Sequence, residues 1–265
     1  MKLIEWLKNL FRPTRRLGLI PQEEDPRDYK YQPVGIIDDE VDLFIDDLPI
    51  TNQGSYNSCV GHSAAYVLSR LLDDVLPEGD YYDRHALVSA AFIWVMAKQD
   101  EGTIGKNVGV VARNAFGVMH KYGFINKYSF DFGDGIYKLP SLKILELANV
   151  YRLLLNYIPG YYGINRNLTK KMQYMKDALS DGYPISLAIP VHENFQKYRG
   201  GILSENTGNF LGYHDVVIGG YYVDSEGKTI YKGRNSWGTS WGEKGYFRIT
   251  EAHLRAGSFD IWTVK

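Results

Sequence analysis

Cysteine is almost absent from this chain: Cys59 is the single one among 265 residues. No intramolecular disulfide can form, a lone thiol is a poor start for a thiolate metal cluster, and a chain of this size without disulfides fits a reducing, cytoplasmic compartment. A surplus of one charge is also missing. Thirty Lys and Arg stand against 31 Asp and Glu, a formal charge of −1, so no nucleic-acid partner is expected, because phosphate neutralisation calls for a basic surface. No run reaches the roughly 18 apolar residues that a membrane-spanning helix needs. The longest, Ala86 to Ala97, is broken only by Ser89 and reads as a buried helix. His, Asp and Glu show no metal-ligand spacing. Gly105-Lys106-Asn107 lacks the glycine and the Ser/Thr of a phosphate loop, so neither metal nor cofactor is expected. Asn167-Leu168-Thr169 is a glycosylation sequon of the kind that arises by chance. What is present, 45% hydrophobic and 23% charged residues, is ordinary for a folded domain and excludes wholesale disorder.

Residues 1–44 read as an N-terminal arm. Its first part, Met1 to Arg16, puts Leu3, Ile4, Leu7, Leu10 and Phe11 at helical spacing among Lys2, Lys8, Arg12, Arg15 and Arg16. Glu5 and Lys8 break the apolar stretch that a signal peptide requires. The segment reads as an amphipathic helix packed on its own domain or a loose arm, with docking on a membrane surface or partner as the alternative. Residues 17 to 56, rich in Pro, Asp and Gly, run extended. Helical patterning follows: Ser58 to Leu72, about Arg84 to Lys98, and Val108 to Tyr122 closed by Gly123. Residues 126 to 166 are rich in Tyr and ambiguous. Leu168 to Ser180 reads as a helix closed by Asp181-Gly182. Strands are then expected at Pro184–Pro190, His214–Val223, Thr229–Asn235 and Gly245–Thr250. A helical part over 45–125 and a β-rich part over 126–265 suggest two lobes with a cleft between them.

Chemistry concentrates at three places. Cys59 follows Asn57 and Ser58, both good N-cap residues, and a helix N-terminus favours a thiolate. Against this stands the commonplace of a free cysteine buried as a small apolar residue. His214 begins the apolar strand His214-Asp-Val-Val-Ile218, where an end residue can reach into a cleft. Asn235 opens Asn235-Ser-Trp-Gly-Thr-Ser-Trp-Gly-Glu-Lys-Gly-Tyr246, whose two Trp-Gly pairs make sense only if the indoles cover something.

Together, Gln53-Gly-Ser-Tyr-Asn-Ser-Cys59, Tyr213-His214-Asp215 and Asn235 to Tyr246 resemble the papain-like cysteine peptidases, in the family's order Gln, Cys, His, Asn. Pro184-Ile-Ser-Leu-Ala188 and Phe195-Gln-Lys-Tyr-Arg-Gly-Gly-Ile202 extend the likeness, which covers roughly residues 40 to 262. Asp25-Pro-Arg-Asp-Tyr29 and Val41-Asp-Leu43 look like the arm of compact prokaryotic and viral-type members. The resemblance implies an α+β, two-lobe fold: an N-terminal helical lobe, a C-terminal antiparallel β-barrel-like lobe and a cleft between them. It implies a cysteine endopeptidase acting on a protein or peptide substrate. Cys59 is then the nucleophile, ionised against His214 before substrate arrives; Asn235 orients the imidazole; Gln53 donates to the oxyanion; Trp237 shields the His214–Asn235 bond. Gly109, Ala188, Gly212 and Tyr213 are implied to line the substrate subsites.

The sequence departs from the family pattern at Tyr56, Asn57, Val60 and Asp215. Asp215 either raises the charge state of His214 or, by strand alternation, points away from it. The arm is too short for a long helical prodomain, though an N-terminal segment that plugs the cleft is compatible with it. Two other functions stay open at this point: a transpeptidase or ligase that passes the thioacyl group to an amine, and a catalytically inert peptide-binding module on the same fold.

Overall fold

The computed structural model describes residues 15–23, 25–26, 28–44, 48–75, 87–134, 137–154, 161–164 and 170–265. The amphipathic stripe of residues 1–14, the start of the expected second helix at 84–86 and the sequon at 167–169 lie outside the described residues. Among the described residues no helix is long and apolar enough to cross a membrane.

Three helices form the first core. Helix α1 (Cys59–Val75) presents Val60, Ala64, Val67, Leu68 and Leu71 inward. Helix α2 (Ala90–Asp100) is buried from Ala90 to Lys98, so it shows no polar face at all, as an uninterrupted apolar run requires. Ser89 caps it by accepting from the Phe92 amide at 2.9 Å. The one cation on the buried face, Lys98, lays its Nζ 3.8 Å from the Trp94 ring centroid and donates to the Lys106 carbonyl, which offsets part of the cost of burying an ammonium. Helix α3 (Ala112–Lys121) ends where Gly123 takes φ +88, and its Cα approaches the Ala148 backbone so closely that any side chain there would collide. Ala148 belongs to α4 (Leu142–Leu154), whose Ile144, Leu145 and Tyr151 pack on the same core.

The second core lies around a sheet. Its strands are β1 (Val41–Asp42), β2 (Tyr161–Gly163), β3 (Ile185–His192), β4 (Ile202–Leu203), β5 (Phe210–Val223), β6 (Thr229–Arg234), β7 (Tyr246–Thr250) and β8 (Phe259–Val264). Helix α5 (Lys171–Ser180), the single turn α6 (Glu193–Gln196) and α7 (Glu251–Gly257) flank it. The order is β2-β8-β3-β5-β6-β7-β4, with β1 beside β5. The expected helical and β parts are both present, but the sheet stays open between edges β2 and β4, and β4 runs parallel to β7. The long strand β5 is the spine: it pairs with β3 on one side and β6 on the other. Ala188, Val217, Trp262 and Val264 of the sheet join the helical core, so apolar contact binds the two halves beneath the cleft.

The arm is stitched to this body. Arg113 of α3 grips Asp28 with a two-pronged contact, Nε to Oδ1 at 2.5 Å and Nη2 to Oδ2 at 2.7 Å. The buried carboxylate of Asp177 on α5 accepts from the Tyr31 hydroxyl and from the Val34 and Gly35 amides at 2.6–2.8 Å. Three donors on one buried carboxylate are charge-assisted bonds, worth more than neutral ones. Asp177→Ala leaves the buried Tyr31 hydroxyl unpaired and hands the exposed Val34 and Gly35 amides to water, and a loss of about 1–3 kcal/mol in unfolding free energy is expected by chemical denaturation; an unchanged midpoint would show that the belt contributes nothing to stability.

Candidate active site

The structure brings Gln53, Cys59, His214 and Asn235 to the seam between the helical core and the sheet, all buried. Cys59 is the first residue of α1. The cap expected before it does not form: the Ser58 carbonyl receives the His62 amide, but the Ser58 hydroxyl is buried without a partner, and Asn57 turns its side chain to the Asn107 carbonyl. Uncapped helix amides are therefore available, and the Val60 amide lies close enough to the Cys59 sulfur to favour its anion. The Asp215 amide favours the same anion, which places the thiol near the peptide that follows His214 on β5.

His214 and Asn235 are joined by a 2.8 Å contact between Nε2 and Oδ1. The Ser236 backbone amide also points at that Asn235 oxygen, at 2.7 Å. An amide N–H can only donate, so the atom is the carbonyl oxygen, and Nε2 of His214 must carry the proton. That leaves Nδ1 as the lone-pair nitrogen; no hydrogen bond occupies it. The Trp237 indole stacks on the imidazole, centroids 4.5 Å apart and 26° between planes, and is itself packed edge-on against Phe195 and Trp241. The two Trp-Gly pairs thus build the wall that keeps water off the His214–Asn235 bond.

Gln53 is fixed by Ser236, which donates from Oγ to Oε1 at 2.8 Å and accepts the Gln53 amide at its carbonyl. Ser236 therefore orients both Gln53 and Asn235. The sequence reading did not single it out; its place between Asn235 and Trp237 was the available signal. With its oxygen so held, Gln53 aims Nε2 into the cleft, where it donates to the Arg16 carbonyl at 3.1 Å and to the Tyr56 carbonyl at 2.8 Å.

The arm itself fills the cleft. Leu19 bridges Val110 in parallel register, with Val110 donating to the Gly18 carbonyl and Ile20 to the Val110 carbonyl. Gly18 lies so tightly against Asn57 that a Cβ would fall 2.1 Å from the Asn57 carbonyl oxygen, and its own carbonyl blocks any side chain at Gly109. Leu17 sits over Gly212, and Arg15 donates to the Trp237 carbonyl with its guanidinium 5.1 Å from that ring's centroid. The Gly18 amide lies near the Cys59 sulfur and favours its anion. Of the four expected subsite residues, Gly109 and Gly212 are thus in contact with the arm. Tyr213 is half-exposed between Phe210 and Phe259, and Ala188 is wholly buried below.

Burial governs the charges here. It pushes the Cys59 thiol up to about 12, with the Asp215 carboxylate adding to the effect and the three amides opposing it. It pushes His214 down to about 4, which the Asn235 bond resists and Arg15 reinforces. With the arm in place burial favours the neutral form of both groups, against the expectation of a sulfur already ionised against His214. A helix N-terminus contributes about 0.3–1 kcal/mol to an anion, below one pKa unit, whereas full burial moves pKa values by several. By strand alternation Asp215 takes the face of β5 that Val217 lays on the helical core, where Ser186 donates to its carboxyl and its charge raises the Cys59 thiol further. Among the described residues no group of three or more His, Cys, Asp or Glu side chains could hold a metal ion.

Residues 107–259 match the family model described as papain family cysteine protease. Fruit bromelain of Ananas comosus is 45% identical over 93 residues, which are 35% of this chain and 25% of that one. Cathepsin C of Schistosoma mansoni is 31% identical over 225 residues, 76% of this chain and 44% of that one. The chain therefore spans less than half the length of these curated relatives. Among solved structures, xylellain, a cysteine protease from Xylella fastidiosa, superposes with a TM-score of 0.76 at 22% identity, covering 96% of this chain and 97% of its own; this likeness concerns the fold.

Proposed function

The chain belongs to the papain family of cysteine proteases, and from that premise we propose that it hydrolyses peptide bonds through a thioacyl intermediate on Cys59. The observation that carries the reading is the His214 tautomer: Nε2 is committed to Asn235, Nδ1 is unoccupied, and the peptide that follows His214 reaches the Cys59 sulfur. In the open cleft, Nδ1 takes the thiol proton. The sulfur then attacks the scissile carbonyl carbon, and the carbonyl oxygen becomes an oxyanion beside Gln53 Nε2. The imidazolium returns its proton to the leaving amine. Water, deprotonated by His214, then releases the acid and restores the thiol.

The Arg15–Leu19 segment occupies the place that substrate needs. Gln53 holds the Arg16 carbonyl, whereas the amide at the sulfur belongs to Gly18. Nucleophile and oxyanion donor therefore address different peptide units, and neither polarises a bond that the other could cut. The segment acts as an occupant of the cleft, and substrate enters when it leaves.

Gln53→Ala removes one of the oxyanion donors, and kcat is expected to fall by about 10²–10³ with little change in KM. Steady-state kinetics on a fluorogenic peptide measure this; a change confined to KM would move Gln53 from the transition state to ground-state binding. Mass spectra of the products made in the presence of a free amine separate hydrolysis from transfer: acid products alone support the peptidase, and amine adducts as the main product would replace it with a transpeptidase.

A further inference from the structure

Asp215 is an acid with no evident reason to be where it is. It is fully buried at the junction of the two halves. From β3, Ser186 donates to its Oδ1 at 2.6 Å, while Oδ2 has no hydrogen-bond partner. From α1, one turn beyond Cys59, Ser63 faces the carboxyl group, and Cys59 itself lies close enough for the Asp215 amide to reach its sulfur. From β8, the buried carboxyl of Asp260 adds a second acid. On its own strand the neighbour is His214, whose ring is committed to Asn235. Among the described residues no Lys or Arg pairs with Asp215. A carboxylate in such a place has two neutral hydroxyls, a neighbouring acid and no counter-ion, so the protonated acid is favoured. Burial, above all, raises its pKa to about 7; Ser186 and Ser63 pull it back and Asp260 pushes it further.

We propose that Asp215 is a positioning residue for the nucleophile: its backbone amide steadies the Cys59 sulfur, its neutral carboxylic acid lets that sulfur ionise, and loss of the acid proton opposes the ionisation. The charge bears on the sulfur because Asp215 takes the face of β5 turned to the helical core that Cys59 belongs to, while the His214 ring is committed to Asn235. The backbone bond and the side-chain charge thus work in opposite directions, and the side chain's protonation decides which prevails. This rests on Cys59 being the nucleophile, but its test needs no substrate.

The test is the rate at which iodoacetamide alkylates Cys59 in the full chain, followed by intact mass between pH 5.5 and 9. Asp215→Asn keeps the shape and the Ser186 contact and removes the charge. Its rate relative to the parent is expected to be near one at pH 5.5 and to rise to about tenfold or more at pH 8. Ser186→Ala withdraws a donor that favours the carboxylate, so the acid keeps its proton to higher pH; its relative rate is expected to exceed one around neutral pH and to return toward one at pH 9. A ratio that does not change with pH, or a variant slower than the parent at pH 8, overturns the proposal, and a purely structural role predicts that flat ratio. If the pH-dependent ratio holds while peptides stay uncut, the inference about Asp215 stands and the peptidase reading fails.

Discussion

Cys59→Ala is expected to abolish peptide hydrolysis while leaving the fold and the melting temperature nearly unchanged. In the proposed mechanism the sulfur forms the covalent intermediate, and no other described side chain stands in its place: His214 serves as a base, and Gln53 Nε2 can only donate. Removal of a nucleophile from a comparable triad costs on the order of 10⁴–10⁶ in turnover, the remainder coming from oriented binding and the oxyanion donors. The structural change is a deleted thiol at a packed, fully buried site, which costs about 1 kcal/mol or less. The measurement is kcat/KM on a peptide mixture together with thermal unfolding of both proteins. Hydrolysis persisting at more than a hundredth of the parental rate in a folded Cys59→Ala chain would remove the thioacyl route.

The candidate site was legible in sequence because its members leave local marks, although His214, expected to begin its strand, lies inside β5, which already starts at Phe210. His214 stands within a run that turns apolar just after it, Asn235 ends a strand and opens a loop with paired tryptophans, and Cys59 starts a helix. The helices over 59–75 and 112–121 and the core strands of the sheet follow from periodicity and from Gly123 and Gly182, whose positive φ closes α3 and α5. What was missed depends on contacts remote in sequence. Helix α4 hides in the Tyr-rich stretch because its buried face is narrow: Ala148 meets Gly123, while Leu142 and Leu153 stay exposed. The burial that opposes a charge on Cys59 was hidden for the same reason. A helix start is visible in the chain, whereas the lid of Leu17 and Gly18 that dries the thiol is a tertiary fact. Alternation turned Asp215 away from His214, but what it meets there, Ser186 and Ser63, is not visible in the chain.

Gly18 carries the second large effect. Its Cβ-less backbone lets the arm lie flat between Asn57 and Gly109, and the atoms it touches on both sides are main-chain atoms that cannot swing aside. Gly18→Ala would place a methyl carbon 2.1 Å from the Asn57 carbonyl oxygen and 2.2 Å from its carbonyl carbon. Overpacking of this kind costs about 1–3 kcal/mol where relief is possible, and here relief means that the arm lifts out. The loss falls on the covered state alone, because the cleft residues themselves are unchanged and the belt beyond it stays anchored by Arg113–Asp28 and Asp177. At about 1.4 kcal/mol per tenfold, the uncovered population rises by about tenfold to a hundredfold. The full-length Gly18→Ala chain is therefore expected to cleave peptides, and to take up an epoxide thiol probe at Cys59, that much faster than the parent at equal intact mass. Uncovering also rehydrates the pair, so the thiol falls and the imidazole rises from the values that burial imposes, and the pH range over which the probe reacts widens toward acid. Equal rates for the two chains would mean that the arm leaves the cleft so readily that it restrains nothing.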